Sequence, residues 1–226
     1  MEKLKERFSL KFFLFIGISI ILTQVPIIGN YVRVINTVVH ESGHAFIALL
    51  GGEVHSISLF ANTEGVTYIS TSSWFGAFFS GAAGYVTSSV LAFIAFWLIS
   101  RKKYKILISI LVGLILLNLI FWVRNIYGIF WLLSFGALFL LLLFKGSANL
   151  VQNCLLLIAS ILLVESISSS FTILFLSFTQ PHAAGDATGL AESTLFIPAQ
   201  YWGTSFFALS LLFCWVGYKS RVYKIQ

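Results

Sequence analysis

Seven apolar runs, each about as long as a bilayer is thick, follow one another along this sequence with only short polar or basic stretches between them. Nothing in the hydrocarbon layer can hydrogen-bond to an exposed backbone, so runs of this length are read as helices, which pair their own amides. They extend from about Phe8 to Ile28, Tyr31 to Leu50, Trp74 to Ser100, Ile106 to Val123, Ile126 to Phe144, Leu150 to Phe178 and Ala199 to Tyr218. The expected fold is an all-α polytopic membrane protein with about seven transmembrane helices, forming a single domain over residues 1–226. A hydrophobic content of 58%, 10% charged residues and a mean hydropathy of +0.95 exclude a water-soluble globule. Lys and Arg outnumber Asp and Glu by 14 to 8. The basic residues sit in short clusters such as Arg101-Lys102-Lys103-Tyr104-Lys105 beside apolar runs, the pattern of loops that touch lipid headgroups, and no nucleic-acid motif occurs. Cys154 and Cys214 lie within apolar runs and read as small packing residues rather than a disulfide. Met1 to Arg7 is polar and basic, and the run after it lacks a small-x-small cleavage site, so an uncleaved helix is expected there.

The second run carries the chemistry. His40-Glu41-Ser42-Gly43-His44 is a His-Glu-x-x-His sequence in a helix-compatible setting. At about 100° per residue, His40 and His44 project from one helix face a turn apart, close enough to share one metal ion. Zinc accepts neutral imidazole nitrogens, and a neighbouring carboxylate that is not a ligand takes a proton from the water the metal activates. Glu41 stands in that place. Two histidines and a glutamate inside a bilayer-length apolar run are expensive to bury, which marks them as functional candidates. Gly43 suits a close helix contact or a tight approach to a substrate.

After the helix-ending pair Gly51-Gly52 the period changes. Val54 to Phe60 and Val66 to Ile69 are β-prone and are separated by Ala61-Asn62-Thr63-Glu64-Gly65, which predicts a short β-hairpin after the metal-binding helix. An open pair of strands cannot face lipid, so the hairpin belongs at the membrane surface or in a cavity enclosed by protein beside the metal. Its free edge offers a place for an extended peptide to add as a strand. A plain connecting hairpin is the alternative.

A catalytic zinc takes three protein ligands and keeps an open position, so two histidines need a further partner. No thermolysin-like glutamate and no third histidine at metzincin spacing follow the motif. The plausible donors are therefore distant: Asp186, His182, Glu192, Glu165, and His55 on the hairpin. Asp186 suits the role best among them, because a carboxylate neutralises part of the metal charge and Gly185 permits a close approach; a helix N-cap ahead of Ala187 to Thr194 is its alternative reading. Asn118 and Glu165 lie at apparent membrane depth, where a helix-to-helix hydrogen bond is expected in preference to a role at the site.

His40-Glu41-Ser42-Gly43-His44-Ala45, followed by Gly51-Gly52 and the strand-like Val54 to Phe60, resembles the site-2 protease class of intramembrane zinc metalloproteases, in particular its compact bacterial peptidase-like branch. Asp186-Ala187, Leu190-Ala191, Thr194, Pro198 and Trp202 are similar to that branch's C-terminal signature. The resemblance implies a Zn2+ ion held by His40, His44 and Asp186, with Glu41 as the base. It implies hydrolysis of a peptide bond in or near a transmembrane segment of a membrane-protein substrate. The location it implies is a multi-pass position in a bacterial cell membrane, with lipid as the other partner. The chain departs from better-known members in lacking an Asn-Pro-Asp-Gly-type motif and an inserted PDZ domain. Two other classes fit parts of the pattern: a non-catalytic membrane scaffold that kept the fold, and a metal transporter, which would string polar residues along several spans rather than concentrate them in one hydrolase motif.

Overall fold

Ser9 opens the first helix by accepting the backbone N–H of Phe12 on its hydroxyl oxygen, and in this computed structural model, which describes residues 9–225, eight α-helices and one β-hairpin follow. Met1 to Phe8, including the basic N-terminal stretch, lie outside the described residues. Helix α1, Leu10–Leu22, has 13 residues rather than the bilayer-length span expected from Phe8 to Ile28. The cause is local. Pro26 has no N–H to continue a helix, Ile27 takes a left-handed φ of 66°, and α2 starts afresh over Ile28–Ala48.

The hairpin strands β1, Gly52–Leu59, and β2, Gly65–Thr71, come next. They are followed by α3, Trp74–Ser100, and by α4, Tyr104–Leu117, which runs into a π-helical turn at Asn118–Trp122. Helices α5, Ile126–Lys145, and α6, Ala148–Thr179, precede a 3-10 turn at Pro181–Ala183. The short α7, Asp186–Thr194, and α8, Ala199–Lys219, complete the order. Among the described residues, α3, α4 with its π turn, α5 and α6 are four helices long and apolar enough to cross a membrane. That is fewer than the seven runs in the sequence. The difference lies in α1, cut short before Pro26, and in α2 and α8, which have 21 residues each but a more polar composition.

Helix α2 packs against α3, α6 and the hairpin. Its contact with α3 is close because of Gly43: a Cβ there would lie 2.6 Å from Thr87 Oγ1 and 2.9 Å from the Ala83 carbonyl oxygen. Gly43 thus serves the helix contact. The polar residues at membrane depth tie other helices to α2. Asn118 Nδ2 donates to Ser42 Oγ at 2.7 Å, and Ser42 Oγ donates to the Val38 carbonyl at 2.6 Å. Arg33 Nε donates to Glu165 Oε2 at 2.8 Å, joining α2 to α6. Both Asn118 and Glu165 therefore make helix-to-helix contacts, as their burial in apolar runs predicts.

The hairpin is antiparallel, with Gly52 opposite Thr71 and Leu59 opposite Gly65, and the register shifts at His55 in a bulge between Val54 and Ser56. On the far side of β1, Asn125 closes the edge: Leu59 N donates to Asn125 Oδ1 at 3.1 Å, and Asn125 Nδ2 donates to the Leu59 carbonyl at 2.6 Å. Strand β2 has β1 as its strand partner in a two-stranded sheet. Its residues Gly65, Val66, Thr67, Ile69 and Thr71 line a cavity against α2.

Candidate metal centre

Helical spacing brings His40 and His44 to one face of α2, with their ring centroids 4.7 Å apart. They lie eight and four residues before the Ala48 end of the helix, so about 12 and 6 Å inside it. The third group comes from α7. Gly185 adopts a φ of 52°, a backbone region open mainly to glycine, and this turn delivers Asp186 as the first residue of α7. The N-cap of that helix is Gly185 rather than Asp186, and the Asp186 carboxylate points to the histidines. Asp186 Oδ2 is 3.1 Å from His40 Nε2 and 3.3 Å from His44 Nε2, and the two Nε2 atoms are 3.0 Å apart.

Protonation decides what the trio is for. His44 Nδ1 lies 2.6 Å from the carbonyl oxygen of Ser80, which can only accept, so Nδ1 carries the hydrogen and neutral His44 turns a lone pair at Nε2 towards the other two groups. A ring nitrogen fixed through its opposite N–H is the usual arrangement of a metal-binding histidine. Asp186 Oδ2 is shielded from solvent and makes no well-directed hydrogen bond among the described residues. Three electron-pair donors therefore face one another within 4.8 Å.

Space for an ion is made by α3. A Cβ on Gly84 would come within 2.5 Å of His40 Nε2 and 2.6 Å of His44 Nε2, so the absent side chain leaves a cradle against both nitrogens. The donor set, the orphaned carboxylate oxygen and the cradle together fit a small cation that prefers nitrogen and oxygen ligands. Tyr85 closes the other side of His40 edge-on, with ring centroids 4.6 Å apart.

Glu41 is beside the trio rather than in it. Its side chain turns to the hairpin, where Thr67 Oγ1 donates to Glu41 Oε2 at 2.6 Å. Gly65 admits that approach, since a Cβ there would lie 2.6 Å from Glu41 Oε1. His40, His44, Glu41 and Asp186 all border one cavity of about 780 Å³ between α2, β2, α3, α6 and α7, large enough for a stretch of peptide as well as an ion. The other donors suggested by sequence stay apart from it: His55, His182 and Glu192 are exposed, and Glu165 is engaged by Arg33.

The sequence model of the peptidase M50B-like family matches residues 13–217. The chain belongs to this family. That is the site-2 protease-like family, and the match joins the motif helix and the α7 segment, the two places that carry the resemblance, in one continuous stretch. No curated protein and no solved structure shows significant similarity to the chain. Membership makes this a membrane protein of metallopeptidase type.

Several groups at the site escape a motif search. Thr67 reads as an ordinary strand residue, and the Ser80 carbonyl has no sequence signature. Gly84 is one of a group of small residues, with Gly76, Ser80, Gly81, Ala82 and Ala83, in the first half of α3, and nothing in the sequence sets it apart from them.

Proposed function

We propose that this protein is an intramembrane zinc metalloprotease that hydrolyses a peptide bond in or near a transmembrane segment of a membrane-protein substrate. The observation that carries the reading is the convergence of His40 Nε2, His44 Nε2 and Asp186 Oδ2 beside a carboxylate, Glu41, that is held separately by the hairpin. His40, His44 and Asp186 are the ligands in this reading. A zinc ion held there would polarise the scissile carbonyl and make the attacking water acidic.

Glu41 takes the proton from that water and later delivers it to the leaving amine. Thr67 keeps the receiving carboxylate aimed at the cavity. The Ser80 carbonyl fixes His44 and the Tyr85 ring packs edge-on against His40, while Gly84 leaves room beside both, so the site needs little rearrangement to act. β2, with one edge free of strand partners, lends backbone groups to a substrate that enters in extended form. A transmembrane helix must unwind before its amides can be reached, so helix-breaking residues are expected at the cleaved bond.

The test uses purified, zinc-loaded protein in detergent and fluorescence-quenched transmembrane peptides that carry helix-breaking residues. Hydrolysis is expected with the native chain and is lost in Glu41→Gln, whose amide keeps the shape but cannot take a proton, while zinc content stays unchanged. Hydrolysis by Glu41→Gln at the native rate would overturn the assignment. Retained zinc with no hydrolysis by either protein would favour a non-catalytic scaffold.

A further inference from the structure

Asn36 lies one turn before His40 on the same face of α2 and lines the same cavity. It is 6% exposed, and its Oδ1 is shut off from solvent without a hydrogen-bond partner. No side-chain hydrogen bond among the described residues uses its amide. Its polar neighbours on the cavity wall are otherwise occupied. Thr37 Oγ1 donates to the Thr63 carbonyl at 2.8 Å, Thr67 holds Glu41, and Ser169 Oγ donates to the Glu165 carbonyl at 2.6 Å. Packing alone does not call for asparagine, because leucine has nearly the same shape and no polar atoms to strand.

A carboxamide offers a donor and an acceptor side by side. The partner that satisfies both at once is another amide, and an extended peptide presents one at every residue. Asn36 is about 6 Å along α2 from His40 by helix rise, and an extended chain advances about 3.3 Å per residue. The reach is thus about two residues of substrate.

We infer that Asn36 is a substrate-binding residue whose carboxamide, turned about its side-chain torsions into the cavity it lines, pairs with a backbone peptide unit within about two residues of the scissile bond. This rests on the peptidase reading above and adds to it a main-chain contact that does not depend on substrate side chains. It accounts for a buried amide that the fold leaves unpaired, and it predicts that the enzyme registers its substrate by backbone rather than by sequence at this position.

The probes are a peptidyl hydroxamate, whose hydroxamate grips the metal, and a matched series in which one backbone amide at a time is replaced by an ester. Affinity is measured on zinc-loaded native protein and on Asn36→Leu, with zinc content and thermal unfolding followed in both. One ester position is expected to weaken binding to the native protein by about tenfold. Asn36→Leu should weaken the parent hydroxamate by a similar factor, lose nothing further with that ester, and keep its zinc and its melting temperature. If Asn36→Leu does not fold, Asn36→Ser is held to the same criterion. Native-like affinity in the variant, or the same additional loss with every ester, would overturn the inference while leaving the peptidase reading in place. Failure of the hydroxamate to bind zinc-loaded native protein would overturn that reading and this inference with it.

Discussion

Thr67 on β2 donates its hydroxyl to Glu41 Oε2 at 2.6 Å, so a strand residue holds the carboxylate of the motif helix. A hydrogen bond to a charged group contributes about 1.5–3 kcal/mol, which bounds its effect on rate at about 10- to 100-fold. Thr67→Val is expected to lower kcat within that range with zinc content unchanged, and Thr67→Ser to restore most of it. Steady-state kinetics with parallel metal analysis check this. Equal activity in all three proteins would mean that the hairpin does not orient Glu41.

Gly84 leads to a sharper expectation. The Cβ of alanine would press within 2.6 Å of both ligand-side nitrogens, and the neighbours it meets are imidazoles already fixed by the Ser80 carbonyl and by Tyr85. Gly84→Ala should therefore fold, since alanine favours the helix, but lose zinc and activity together. Gly113→Ala on α4 is the control, because nothing lies within 4 Å of its added carbon. Zinc at native occupancy in Gly84→Ala would place the ion elsewhere.

How much of this was legible beforehand differs by element. The motif helix, the hairpin and the span Trp74–Ser100 follow from periodicity and from glycine pairs, because burial in lipid leaves few alternatives for such residues. Asn118 and Glu165 were readable as helix-to-helix contacts for the same reason, though their partners Ser42 and Arg33 were not. The short α1 was misjudged, since hydropathy does not register the missing N–H of Pro26 or the left-handed Ile27. Asp186 was singled out by donor chemistry and by Gly185 before it. Thr67, Ser80, Gly84 and Asn36 act through what faces them across the fold, and a single sequence carries no trace of that pairing.

Arg33 and Glu165 form an ion pair between α2 and α6 in which the Glu165 side chain is 5% exposed. Removing one partner leaves the other charge buried, which costs about 3–5 kcal/mol, whereas replacing both by apolar residues is far milder. Arg33→Leu should lower the melting temperature markedly, and Arg33→Leu with Glu165→Leu should recover much of the loss. The comparison is made by thermal unfolding in detergent. A double variant no more stable than the single would show that the charge pair is not what Arg33 supplies.

The ligand set is separable by metal content. Asp186 lies with its Oδ2 3.1 and 3.3 Å from the histidine nitrogens, follows the N-cap of α7 rather than occupying it, and is turned inward by the positive φ of Gly185. Losing an N-cap would cost about 1 kcal/mol and leave a metal site filled; losing a ligand would empty it. Asp186→Ala is expected to fold, to bind zinc weakly and to be inactive. His182→Ala and Glu192→Gln change exposed side chains away from the trio and should keep full zinc. Glu165→Gln should keep it as well, since that carboxylate faces Arg33 and not the histidines. Metal analysis of the four purified variants distinguishes the possibilities, because each candidate donor predicts a different protein to arrive empty. Full zinc in Asp186→Ala, with loss in one of the others, would move the third ligand to that residue and leave the short Nε2 to Oδ2 distances as an ordinary histidine–carboxylate contact.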